Sequence, residues 1–112
     1  MTADNVSEPM TTSLTPQKSA DLATLIGHFD VNVKISEDAP GFVSSLNSDR
    51  QEKLKREFQT RLRDKSFTEA DFNDATMCTA RDADAARHFF EKVYAFAFED
   101  GDEPDVAEYW NR

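Results

Sequence analysis

The chain has one cysteine, Cys78, so no disulfide can close within it, and nothing in its thiol content calls for an oxidising compartment. At 112 residues it is long enough to bury a core without a metal or disulfide staple, and one domain is expected. Glycine is almost as scarce. Gly27, Gly41 and Gly101 are too far apart to build a phosphate-cradling GxGxxG or P-loop, which excludes nucleotide enzymes of the motif-bearing kind. The two histidines, His28 and His88, cannot complete a four-ligand zinc site with Cys78 unless carboxylates join, and no CxxC, HxxxH or HExxH spacing occurs. No apolar run approaches the roughly 18 residues of a membrane span. The first residues, MTADNVSEPMTTS, carry neither a basic n-region nor an apolar h-region, so a cytoplasmic protein is expected.

Aliphatic bulk is thin as well. Leu, Ile, Val and Phe together number 23, close to the range where ordered folding fails, and nine of them are Phe. The core is therefore expected to be small and filled by ring packing.

What the chain does have is charge, unevenly placed. The net charge of −9 divides into −4 over residues 1–47, +3 over 48–66 and −8 over 67–112. An acidic surface disfavours binding to nucleic acid or anionic membranes, which needs a clustered positive face. The only candidate for such a face is the helix predicted from 49 to 65. Its cations Arg50, Lys53, Lys55, Arg56, Arg61, Arg63 and Lys65 are interleaved with Asp49, Glu52, Glu57 and Asp64, with no exposed aromatic for base stacking. Direct nucleic-acid binding is not expected from it. A salt-bridged solvent face, a docking face for an acidic protein and contact with the chain's own acidic tail are the readings it allows.

The apolar pattern reads as all-α, a small bundle of about four helices around a central C-terminal helix at 83–99. In that helix Ala86, Phe90, Val93 and Ala97 form a seam flanked by Phe89, Phe96, Ala83 and Tyr94, an apolar face roughly 160° wide. Asp84, His88, Glu91 and Lys92 are left for water. Residues 1–13 show no period and read as a disordered tail. Thr15 and Pro16 read as cap and first residue of a helix at 16–29, with the stripe Leu22, Leu25, Ile26 and Phe29.

Val31, Val33 and Ile35 then alternate with polar residues, which predicts an extended segment at 31–35. Such a segment could be a connector plugging the bundle with three side chains, an edge for a partner strand, or a continuation of the first helix. Pro40-Gly41 reads as loop with one short helical turn after it. Ser48 and Gln51 have capping-box spacing before the basic helix, whose apolar line is Leu54, Phe58 and Leu62.

Thr68 and Asp71 repeat the capping spacing with Phe67 and Phe72 at the staple positions, predicting a short helix at 69–77. Thr79 and Asp82 do so again and place the start of the last helix at about 80, with Glu99, Asp100 and Gly101 marking its end. The domain is thus expected at 14–100, followed by an acidic tail at 101–112. Val106, Tyr109 and Trp110 in that tail are expected to fold back on the bundle or to engage a partner.

No catalytic constellation is legible. His28 suits a helix C-terminus, and His88 has Asp84 and Glu91 as helical neighbours. The acidic run at 99–105 lacks EF-hand spacing and is broken by Pro104. Neither metal nor cofactor is expected.

The functional expectation is a non-enzymatic acidic protein-binding module, an inhibitor, adaptor or accessory subunit, with Lys53, Arg56, Arg63, Tyr109 and Trp110 as its contact residues. One alternative is an acidic mimic of nucleic acid that blocks a DNA- or RNA-binding protein. A second is a small enzyme using His88 or Cys78. Partner identity and oligomeric state are not written in these residues.

Overall fold

The structure, a computed structural model, describes residues 18–111. The expected disordered tail at 1–13, and Thr15 and Pro16 as a helix start, lie outside the described residues. Among the described residues there are five α-helices and no strand: α1 (Ala20–Gly27), α2 (Ala39–Ser45), α3 (Ser48–Arg63), α4 (Glu69–Thr76) and α5 (Ala83–Phe98). Short 3₁₀ turns at Ser36–Asp38 and Val106–Glu108 complete the fold.

α1 starts later than the sequence suggests. Lys18 and Ser19 are not helical, and Ser19 is the cap, its hydroxyl accepting from the Leu22 amide. Beyond Gly27 the chain tightens, each amide of His28, Phe29 and Asp30 donating three residues back, which carries Phe29 onto the core side beside Leu22, Leu25 and Ile26.

The 31–35 segment is not extended. Residues 31–33 form a turn: the Asp30 carbonyl accepts from the Val33 and Lys34 amides, its side chain takes the Asn32 amide, and Lys34 adopts a left-handed φ of 55°. Val31 packs on the core and donates its amide to the Thr76 carbonyl, whereas Val33 and Ile35 remain 51% and 40% exposed. The alternation therefore makes neither a plug of three side chains, nor a strand edge, nor more helix.

The expected loop at Pro40-Gly41 is instead the first turn of α2, a position where proline's missing amide has no helical partner to lose. This is the fifth helix, and it buries Val43, with Leu46 buried at its C-cap. α3 is capped by Asn47 rather than Ser48: the Asn47 side chain accepts from the Arg50 amide, and Gln51 turns back to the Leu46 carbonyl. At the other end Lys65 is left-handed (φ 56°), with Ser66 donating to Arg61 and Lys65 to Leu62, a Schellman closure.

The capping box of α4 is present in full, Thr68 and Asp71 satisfying each other's backbone amides. Phe67 and Phe72 on either side of it are buried, and each meets a different ring of α5: Phe67 stacks on Phe90, and Phe72 sits edge-on to Phe89.

α5 begins at Ala83, capped by Asp82, because residues 79–81 are occupied otherwise, as described below. Its buried face is Ala85, Ala86, Phe89, Phe90, Val93 and Tyr94; Ala83, expected beside the seam, is exposed, and Ala85 takes that role. α5 packs on α2, α3 and α4, α1 packs on the same three, and Phe29, just beyond α1, reaches Phe89 and Phe96 edge-on. Eight of the nine Phe rings make ring contacts with other Phe or Tyr rings, so the thin aliphatic content is made up by a connected aromatic core.

The chain leaves α5 with Asp100, not Gly101, in the left-handed region (φ 59°). Gly101 is needed for closeness instead: a Cβ there would lie 2.9 Å from the Ala95 Cβ, and its amide bonds the Ala95 carbonyl at 2.8 Å.

Candidate functional site

α3 is held by one edge. Leu54 and Phe58 are buried, Leu62 is half-buried, and Phe58 meets rings of Phe67, Tyr94 and Phe98. On the flanks of that edge the contacts are polar. Arg50 grips Asp21 of α1 with two hydrogen bonds, of 3.1 and 2.7 Å, a bidentate pair that holds the Asp21 carboxyl below its ordinary range and raises the Arg50 guanidinium. Glu57 accepts from the amide and hydroxyl of Ser19, and Gln59 donates to the Tyr94 hydroxyl at 2.7 Å.

Arg61 departs from the sequence reading of a solvated cation. It is buried, with its guanidinium carbon 5.9 Å from the Phe67 ring centre and its Nε 3.8 Å from Glu57.

The remaining cations keep their expected places. Lys53, Arg56 and Arg63 lie within about 100° of one another on the side of α3 opposite Leu54 and Phe58, and all three are exposed. Arg56 pairs with Glu52 at 3.0 Å and Arg63 with Asp64 at 3.8 Å. Both pairs are open to water, where such bonds contribute little and exchange readily. The face combines these cations with the carboxylates of Asp49, Glu52 and Asp64, within a segment, 48–66, whose overall charge is +3 on an otherwise acidic molecule.

Tyr109 and Trp110 are not brought to this face. The C-terminal segment folds back beside residues 79–81: Ala80 and Trp110 form an isolated antiparallel bridge, Arg81 donates its amide to Tyr109 at 3.0 Å, and Asn111 donates to Thr79 at 2.6 Å. This pairing is why α5 cannot start at 80. Tyr109 is buried edge-on to Phe89 and beside His88, and burial, then the Glu108 charge, pushes its phenol up despite the opposing Arg81. Val106 is buried with it, and Trp110 is half-buried against the core. Of the two routes expected for the tail, the structure takes folding back.

His28 is the C-cap of α1, its Nδ1 2.8 Å from the Thr24 carbonyl and its ring on Phe42. His88 stands exposed on α5 with Glu91 at 4.0 Å. Cys78 is half-buried, its amide bonded to the Thr76 hydroxyl. Among the described residues no three His, Cys, Asp or Glu side chains are grouped to hold a metal ion, and no helix is long and apolar enough to cross a membrane.

A cleft of about 540 Å³ was not legible in the sequence. Its walls are residues 28–37 and 103–106, far apart in the chain and joined by a Ser36 hydroxyl donating to Glu103. Pro104 and Val106 in the acidic tail were the available signal, since apolar residues spaced among carboxylates need a surface to cover.

The fold and these surfaces define a small all-α bundle with a docked C-terminal segment. No known family, no curated protein and no solved structure matches the chain.

Proposed function

We propose that this protein is a non-enzymatic binding module, an inhibitor, adaptor or accessory subunit, that docks an acidic protein on the outward face of α3. The observation that carries this reading is the shared exposure of Lys53, Arg56 and Arg63 on a helix whose opposite edge is locked by Leu54, Phe58 and the Arg50–Asp21 pair. A rigid scaffold presenting cations whose surface ion pairs exchange readily steers and orients a complementary partner. The burial of Tyr109 against Phe89 supports α3 over the C-terminal aromatics, because a ring already used in the core is not free to anchor a partner. The reading includes a cytoplasmic location, in keeping with a single unpaired thiol.

The test is capture from native lysate by the immobilised full chain and by its Lys53→Glu/Arg56→Glu variant. The reading expects an acidic protein that is retained by the parent, released as salt rises and missed by the variant. Equal retention by both would remove α3 as the site.

A further inference from the structure

We infer that the cleft between residues 28–37 and 103–106 is a second docking site, for a partner segment that presents an arginine or lysine between apolar side chains. This goes beyond the α3 reading and does not depend on it. The cleft lining includes the apolar residues Phe29, Val31, Pro104 and Val106, of which Phe29, Pro104 and Val106 are buried. Its rim carries the carboxylates of Asp30, Glu37, Glu103 and Asp105, against one amine, Lys34, and the His28 ring.

A long cationic side chain fits both kinds of residue, laying its methylenes on the apolar ones and its charge among the carboxylates. Three of those carboxylates already accept one hydrogen bond each, Asp30 from the Asn32 amide, Glu103 from Ser36 and Asp105 from the Ala107 amide. Each keeps acceptor sites for a guanidinium or ammonium.

Exposed apolar side chains lie next to this wall in the chain. Of the three exposed large apolar side chains among the described residues, Val33 and Ile35 flank Lys34 here, and the third, Met77, follows Thr76, whose carbonyl takes the Val31 amide. Exposed Val33 and Ile35, next in the chain to the cleft-lining Lys34, together with the carboxylates, call for an occupant that is both apolar and basic.

The chain's own segments match it poorly. Residues 1–17 contain no Lys or Arg, and the basic face of α3 in a second copy offers charge with no exposed large apolar side chain. A foreign polypeptide is the occupant that supplies both.

The experiment is an amide NMR titration of the full chain with acetyl-Leu-Arg-Leu-amide, using acetyl-Leu-Gln-Leu-amide and acetyl-Leu-Glu-Leu-amide as controls. The Arg peptide should shift residues 29–37 and 103–106 saturably at about millimolar concentration, with at least about a fivefold weaker response to the Gln peptide and none to the Glu peptide. Glu37→Gln/Glu103→Gln and Val33→Ser/Ile35→Ser should each weaken the response to the Arg peptide, while Lys53→Glu/Arg56→Glu leaves it unchanged. No saturable shift by about 5 mM peptide at low salt, equal shifts with Arg and Gln, or shifts centred elsewhere would overturn the inference. Shifts at these residues that grow with protein concentration alone would assign the cleft to a second copy and overturn it equally.

Discussion

The Phe67 ring lies flat on the Phe90 ring, with centroids 4.1 Å apart and planes 13° from parallel. Phe67 precedes the cap of α4 and Phe90 sits mid-way along α5, while Phe58 of α3 leans on Phe67 at 5.1 Å, so three helices meet at this stack. Phe90→Ala is expected to destabilise by about 3–5 kcal/mol, enough to threaten a domain with so small a core. Because a loss of that size threatens folding itself, a double-mutant cycle with Phe67→Leu and Phe90→Leu isolates the pair. Denaturant unfolding should give a coupling of about 0.5–1.5 kcal/mol. Additive losses would mean that the rings do not act together.

Helix starts give a sharper check of register. Thr68→Ala and Asn47→Ala should each cost about 1 kcal/mol by the same unfolding measurement. Ser48→Ala, one residue into α3, should stay within about 0.5 kcal/mol. The reverse order at 47 and 48 would place the start of α3 where the sequence pattern first suggests it.

Docking of the C-terminal segment should depend on alkaline pH through Tyr109. Its phenol is pushed above the usual value of about 10, so the folded state favours the neutral form. Stability from this group is then complete below about pH 10 and is lost as pH rises through the folded-state pKa. A phenolate absorbance titration of the parent minus Tyr109→Phe should show a transition later than that of a free tyrosine, with faster amide exchange at Arg81 and Asn111 as it proceeds. An ordinary or early transition would contradict the buried placement.

Much of the fold was legible where periodicity and capping agree. The stripe Leu22, Leu25, Ile26, Phe29, the Leu54–Phe58 line and the Thr68–Asp71 box all stand as the pattern requires. The failures have local causes. Val31 to Ile35 alternates, yet Asp30 draws three successive amides to itself and winds the segment into a turn. Pro40-Gly41 reads as a break, yet the first turn of a helix accepts proline. Residues 79–81 carry cap spacing, yet their backbone is taken by residues 109–111, a pairing across some thirty residues that no local pattern encodes.

The candidate surfaces divide the same way. The outward face of α3 follows from helical phase alone, which needs only the positions of Leu54 and Phe58. Arg61 defeats that logic because its long stem can bury while its charge finds Glu57 and the Phe67 ring. The cleft is built by tertiary contact between residues 28–37 and 103–106, so it enters only with the structure.

The most direct measurement of the α3 proposal is the association rate of the captured acidic partner with the parent and with Lys53→Glu/Arg56→Glu, at low and high salt. Both substitutions lie on the exposed face, so far-ultraviolet circular dichroism and unfolding should change little. The account predicts slower association and a flattened salt dependence for the variant, because like charges oppose the encounter. Parent and variant associating at the same rate at both salt concentrations would contradict it.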